Sequence, residues 1–117
     1  TLDEIKDNPE VLTSNVVLID EGQFFTDVAE TSVYWAEQGK HIIISALNGT
    51  FDRKPFPAIS NLIPHVNHIV HLSAVCTVCG QDAHFSHLKI SPVDPSDPII
   101  GGTETYEARC RSCLNQV

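Results

Sequence analysis

The sequence contains four cysteines, and all of them stand in two CxxC pairs. They are Cys76, Cys79, Cys110 and Cys113. Two such turns can place four thiolates tetrahedrally around one zinc ion, at zinc–sulfur distances of about 2.3 Å. Disulfide bonds are the alternative, and they would require an oxidising compartment. The spacing predicts a structural zinc site, in which four sulfur ligands leave no position open for water or substrate.

A second group that could do chemistry is the pair of adjacent carboxylates, Asp20 and Glu21. They follow an apolar run that starts at Val16 and is typical of a strand covered on both faces of a sheet. In open α/β sheets the carboxyl ends of the strands bind ligands, and acidic residues there can face Mg²⁺ and a phosphate. If the strand continues through the pair, only one of the two faces a substrate. The alternative is that the carboxylates are merely solvated or cap the next helix.

Aromatic residues accompany these carboxylates. Gly22 permits a sharp turn, and Phe24 and Phe25 follow it, so that a planar ligand could lie beside the acids. A second aromatic loop, LNGTFDRKPF (47–56), carries the basic pair Arg53-Lys54 between two phenylalanines. Taken alone, this loop could equally be solvated, with its phenylalanines in the core.

The elements that must position these groups alternate along the chain. Apolar runs predict strands at 16–20, 41–47 and 67–75, and a helix over 26–38 separates the first two. This order favours parallel strands joined by right-handed crossovers, and therefore an α/β fold. After residue 75 cysteines, histidines and prolines replace the apolar runs, which predicts a small separate ribbon.

Composition excludes several functions. The formal net charge is −8 with only seven Lys and Arg residues, which argues against nucleic acid or an anionic membrane as a partner. No apolar run approaches the roughly 20 residues that a membrane-spanning helix needs, so we expect a soluble, intracellular chain. His65, His68 and His71 recur every third residue and would not share one face of a strand, so they are predicted to be surface residues.

Four sequence blocks occur in a recognisable order: DEGQFF, LNGTFDRKPF, AVCTVC and IIGGTETYEARCRSC. Together they resemble the type II thymidine kinases, a zinc-containing family. The resemblance implies an α/β fold with a parallel sheet of the P-loop nucleoside-kinase type over residues 1–74, and a zinc-binding lasso domain over residues 75–117. It further implies ATP-dependent phosphorylation of the thymidine 5′-hydroxyl with Mg²⁺, a homotetramer and a cytoplasmic location.

The same resemblance assigns roles to individual residues. Glu21 is implied as the catalytic base, Asp20 as the carboxylate on the Mg²⁺ side, and Arg53 as a cofactor-binding residue. The walls of the base pocket would be Phe24, Leu47, Phe51 and Phe56. The lasso would offer backbone groups and one hydroxyl to the nucleoside, from Ile99, Ile100, Gly101 and Tyr106.

The sequence departs from the family pattern in three respects. Asn48 stands where the family usually has Asp, and the lasso segment SPVDPSDP (91–98) is rich in Pro and Asp. The phosphate-binding motif GxxxxGK[ST] does not occur in these 117 residues, so we expect the chain alone to be inactive. An alternative function is a zinc-ribbon interaction module attached to a non-catalytic α/β remnant.

Overall fold

The computed structural model of the protein describes residues 1–89 and 106–115. The chain forms two compact units: one comprises Thr1–Gly49 and Pro55–Ile69, and the other combines Thr50–Lys54 with the described residues from Val70 onward. In chain order the helices and strands are α1 (Pro9–Leu12), β1 (Val16–Ile19), α2 (Val28–Glu37), β2 (His41–Ile44), α3 (Pro57–Leu62), β3 (Ala74–Val75), β4 (Asp82–Ala83), β5 (Phe85–Leu88) and β6 (Tyr106–Arg109). The domain boundary drawn after residue 74 stays a prediction about the native protein.

The first unit is built on a parallel strand pair. Strands β1 and β2 pair in parallel, with Val16 opposite His41 and Ile19 opposite Ile44, and α2 connects them. The predicted strand–helix–strand order is therefore present, although β2 ends at Ile44 rather than at residue 47. Gly39 follows α2 with φ of +86°, as expected for a glycine that ends a helix.

Alternate strand residues and the helices form the core of this unit. The buried cluster consists of Leu2, Ile19, Val28, Trp35 and Ala58. Trp35 is fully buried, and its indole nitrogen donates to the Lys6 carbonyl at 3.0 Å, so the ring is hydrogen-bonded as well as packed. No helix in the described part of the chain is long and apolar enough to cross a membrane.

Within the described residues the sheet is covered on one face only, which corrects the expectation of a strand buried on both faces. Val17 and Ile19 face the core, whereas Val16 and Leu18 point the other way, and Leu18 is 71% exposed. Ile43 of β2 is likewise half exposed. Because side chains alternate along a strand, packing α2 against one face leaves the other face apolar and open within residues 1–89 and 106–115.

The predicted third strand over 67–75 is also wrong for most of its length. Only Ala74–Val75 forms a strand, and it pairs antiparallel with Asp82–Ala83 rather than with the parallel pair. Leu72 is 79% exposed. An apolar run becomes a strand only when a neighbouring strand binds its backbone, and the described residues place none beside residues 67–73.

The described residues of the second unit form two antiparallel strand pairs. Besides β3 and β4, strands β5 and β6 pair with Leu88 opposite Tyr106 and Phe85 opposite Arg109. The backbone N–H of Thr77 donates to the Ala108 carbonyl at 3.0 Å and joins the first CxxC turn to β6. These contacts bring the two distant cysteine pairs together.

Asp27 ties the beginning of the chain to α2. Its carboxylate accepts the backbone N–H groups of Leu2 at 3.1 Å and Asp3 at 2.8 Å. Burial would by itself raise the pKa of Asp27, but the hydrogen bonds from Asp3 and Leu2 outweigh it and lower that pKa. The ionised carboxylate therefore stabilises the folded state.

We expect this contribution to be lost in acid. The pKa of Asp27 is lowered on folding, so its stabilisation is present above the unfolded value of about 3.9 and disappears as the pH falls through the folded value. Urea unfolding measures the free energy of unfolding at pH 6 and at pH 3. We expect this free energy to fall less between the two pH values in Asp27→Asn than in the wild type. Glu30→Gln, an exposed acid in the first turn of α2, is the control and should behave like the wild type. Equal acid sensitivity in Asp27→Asn and the wild type would contradict the assignment.

Candidate active site and metal centre

The carboxyl ends of β1 and β2 bring the two strands' polar residues together. The Ser45 backbone N–H donates to the Ile19 carbonyl at 2.9 Å, which extends the ladder one step beyond the strands. The Ser45 hydroxyl then donates to Asp20 Oδ1 at 2.6 Å, and the Glu21 backbone N–H donates to the same oxygen at 2.9 Å. Asp20 is thus held at the carboxyl end of β1 by two hydrogen bonds to one of its carboxylate oxygens.

Glu21 has an unusual backbone conformation. Its φ is +55° and its ψ is +45°, so the chain is left-handed at this residue. For a non-glycine residue this costs about 1 to 3 kcal/mol, and such residues cluster at functional sites. Strand alternation therefore does not decide which carboxylate faces a substrate, because β1 ends at Ile19 and the chain turns at Glu21.

Gln23 orients Glu21, and sequence reasoning missed it, as it missed Ser45. Its side chain is buried, with 6% of its surface exposed, and its amide nitrogen donates to Glu21 Oε2 at 2.6 Å. Its amide oxygen accepts the Leu47 backbone N–H at 3.1 Å. One amide thus links the carboxylate to the loop after β2. The available signal was an uncharged amide two residues after a carboxylate in the DEGQFF block.

Gly22 follows the sharp turn that the sequence predicts, and it is needed there for close packing, whereas the left-handed residue of the turn is Glu21. A Cβ atom at this residue would lie 2.7 Å from Ile44 Cγ2, closer than real Cβ atoms approach their neighbours. The Gly22 N–H donates to the Ser45 carbonyl at 2.9 Å. Because Gly22 has no side chain, the turn after Glu21 can pack closely against the end of β2.

Two of the predicted aromatic residues, Phe24 and Phe56, are in contact. The rings of Phe24 and Phe56 pack edge to face, with centroids 6.5 Å apart and an interplanar angle of 76°. Phe24 is 44% exposed, and Leu47 is exposed to a similar degree. Partly exposed apolar surface therefore lies in the same unit as Glu21 and Gln23, which is the surface that a planar base could cover.

Phe51 and Arg53 lie in a short turn that belongs to the other unit. The Thr50 backbone N–H donates to the Lys54 carbonyl at 2.9 Å, and Arg53 has a φ of +62°. The Arg53 guanidinium donates to the Phe51 carbonyl at 3.1 Å. Tyr106 lies on β6 of the same unit. The predicted residues Ile99, Ile100 and Gly101 lie outside the described residues.

The four cysteines come together as their spacing predicted. Their sulfur atoms all lie within 4.8 Å of one another, and the Sγ atoms of Cys79 and Cys110 are 3.6 Å apart. Tetrahedral zinc with bonds of about 2.3 Å requires sulfur–sulfur distances of about 3.8 Å, so the arrangement fits this ion. All four cysteines are free thiols rather than disulfides.

The thiols differ in their electrostatic surroundings. Backbone N–H groups, foremost that of Cys110, lower the pKa of Cys76 to about 6, although burial opposes the change. Burial, together with the neighbouring sulfurs, raises the pKa of Cys113 to about 12. Four adjacent thiolates repel one another, and a divalent cation is the group that removes this repulsion.

Known proteins resemble this chain along its length. The model of the thymidine kinase family matches residues 1–114. The thymidine kinase of Raccoon poxvirus is 48% identical over 99 residues, which are 85% of this chain and 55% of that protein. The thymidine kinase of Yaba monkey tumor virus is 45% identical over 117 residues, which are 100% of this chain and 62% of that protein. The cytosolic thymidine kinase of Homo sapiens is 43% identical over 104 residues, which are 89% of this chain and 44% of that protein.

The chain thus spans about half the length of the curated relatives that it matches. Its match to the family covers DEGQFF, LNGTFDRKPF and both CxxC pairs, so the resemblance drawn from these blocks is confirmed. The family has an α/β nucleoside-kinase fold, in agreement with the strand–helix–strand order of the first unit. The chain belongs to the thymidine kinase family.

Proposed function

We propose that the native protein containing this chain is a thymidine kinase, which transfers the γ-phosphate of ATP to the 5′-hydroxyl of thymidine. Deoxyuridine is a second candidate substrate. The observation that carries the proposal is the carboxylate of Glu21, held by Gln23 at the carboxyl end of β1. The names of the relatives, at 43 to 48% identity, support the same reaction.

In this proposal the two carboxylates have separate tasks. Glu21 orients the 5′-hydroxyl and accepts its proton, because phosphoryl transfer needs a positioned base more than covalent help. Asp20, fixed by Ser45 and by the Glu21 N–H, lies on the Mg²⁺ side. Mg²⁺ would supply charge stabilisation to the ATP phosphates, and Arg53 is assigned to ATP.

The thymine ring is assigned to apolar walls. The residues concerned are Phe24, Leu47, Phe51 and Phe56. Apolar walls exclude water from the reacting oxygen, while a few polar groups fix the orientation of the ring. By resemblance these polar groups are backbone atoms of Ile99, Ile100 and Gly101, and the hydroxyl of Tyr106.

The zinc ion is proposed to be structural and bound by all four cysteines, since four sulfur ligands leave no open position. A homotetramer and a cytoplasmic location are further proposals, and the printed name of the human relative, cytosolic thymidine kinase, supports the location. We propose no nucleic-acid or membrane partner, because the net charge is −8.

The function is tested by incubating the purified native protein with ATP, Mg²⁺ and each of the common nucleosides. We expect 5′-phosphorylation of thymidine in preference to deoxycytidine and the purine nucleosides. A folded, zinc-containing protein that phosphorylates no nucleoside would favour the interaction module instead.

Phe56→Ala should weaken thymidine binding much more than ATP binding. Losing an aromatic wall worth about 1.5 to 3 kcal/mol raises the thymidine KM by roughly 10- to 150-fold. Phe25→Ala is the matched control, because Phe25 packs against the core and its loss should lower the melting temperature instead. Equal increases in both KM values would show that Phe56 does not line the base pocket.

A further inference from the structure

Arg109 is a buried cation beside the second CxxC pair. It ends β6, immediately precedes Cys110, and has only 7% of its surface exposed. Glu107 lies two residues earlier, on the same face of the strand. The guanidinium donates from Nε and Nη2 to Glu107 Oε1, at 2.8 and 2.5 Å.

The third nitrogen of the guanidinium reaches the metal-ligand turn. Nη1 donates to the backbone carbonyl of Cys113 at 3.2 Å, in a buried hydrogen bond. The Cys113 backbone N–H in turn donates to the Cys110 carbonyl at 3.2 Å. Both polar groups of the Cys113 backbone are therefore fixed, one of them by a side chain from β6.

Charge does not explain this arrangement. A zinc ion with four thiolates carries a formal charge of −2, and a nearby cation would offset part of it. The Glu107 carboxylate, however, already balances the charge of Arg109 at hydrogen-bond distance. The role of Arg109 is therefore explained by its hydrogen-bond geometry, since a planar guanidinium can bind two partners in fixed directions.

We propose that Arg109 is a positioning residue of the metal centre, in which Glu107 aims the guanidinium and the guanidinium holds the Cys113 carbonyl. The Cys113 sulfur is thereby presented to the ion in its ligating position. The inference rests on the proposed zinc site and is independent of the kinase reaction. Groups that orient metal ligands typically change metal affinity by about 10- to 100-fold when removed.

The test is a competition for Zn²⁺ between the protein and a chromogenic chelator at constant pH. Arg109→Met should weaken zinc binding by roughly 10- to 100-fold. Arg109→Lys should be similarly weak, because lysine keeps the charge but cannot bridge Glu107 and the carbonyl. Arg111→Met is the matched control: Arg111 is an exposed cation within the same CxxC turn, where it lies 4.9 Å from the Phe85 ring. It should stay within about threefold of the wild type.

Substitution by Co²⁺ distinguishes positioning from a general loss of structure. Folded Arg109→Met should retain thiolate-to-cobalt charge-transfer bands, with changed intensity and faster loss of the ion to chelator. If Arg109→Met does not fold, Glu107→Gln replaces it, and we expect a smaller loss of zinc affinity in the same direction.

Three results would overturn the proposal. The first is wild-type zinc affinity in folded Arg109→Met or in Glu107→Gln. The second is wild-type zinc affinity in Arg109→Lys, and the third is a loss of zinc affinity in Arg111→Met equal to that in Arg109→Met. Either of the last two results would indicate a charge effect. A wild-type chain that binds no zinc overturns the metal site together with this inference. Failure of the kinase assay alone leaves the zinc measurements unaffected.

Discussion

We expect Glu21→Gln to lower kcat for the proposed thymidine phosphorylation by roughly 10² to 10⁴ in the native protein, with little change in the thymidine KM. The amide preserves the size of the side chain and its ability to accept the hydrogen bond from Gln23, but it cannot take the proton of the 5′-hydroxyl. Steady-state kinetics with thymidine and ATP varied separately measure the effect.

Asp20→Asn is the informative comparison for this prediction. Asn can still accept the bonds from Ser45 and the Glu21 N–H, so the strand end should keep its shape. We expect its defect to appear in the dependence on Mg²⁺ concentration. Wild-type kcat in Glu21→Gln together with a collapsed kcat in Asp20→Asn would show that the two roles are reversed.

Removal of zinc should unfold the second unit. A tetracysteine site contributes binding free energy on the order of 10 kcal/mol, and this energy is folding energy. Among the described residues, the buried apolar cluster around the site consists of Cys76, Ala83 and Cys113, so these residues provide little apolar burial without the ion. Circular dichroism during titration with a strong chelator should report loss of structure, and metal analysis should give one zinc per folded chain.

We expect Cys79→Ser to have the same effect as zinc removal, with loss of zinc and insoluble protein. Cys79 is exposed, so a conservative change there would otherwise cost little stability. Ser112→Ala, an exposed position between the ligands of the second pair, should retain full zinc content. A folded protein with substantially less than one zinc would refute the structural role.

The clustering of the four cysteines was predictable because CxxC is a local pattern. Two residues between cysteines fix a turn whose sulfurs point to one side, and four sulfurs of this kind have few other uses in a reducing compartment. The same holds for α2 and the first parallel strand pair, whose apolar periodicities are visible over short windows. The four blocks then supplied the family, which the match over residues 1–114 confirms.

What the sequence did not predict depends on contacts between distant segments. The run over 67–75 has the composition of a strand, but strand formation needs a partner, and composition does not name one. The left-handed Glu21 and the bridge through Gln23 to Leu47 exist because β1 and β2 end side by side. Periodicity describes which face a residue occupies, but it does not describe the turn that follows a strand.

The two CxxC pairs have a further consequence for the connectivity of the chain. Residues 80–109 lie between them, so an ion bound by all four cysteines closes this stretch into a ring. Proteolytic cleavage between residues 90 and 105 would leave β5 on one piece and β6 on the other, with two thiolates on each. The strand pairing and the ion would then hold the two fragments together, although no peptide bond connects them. A chelator that removes the ion would let the two fragments separate.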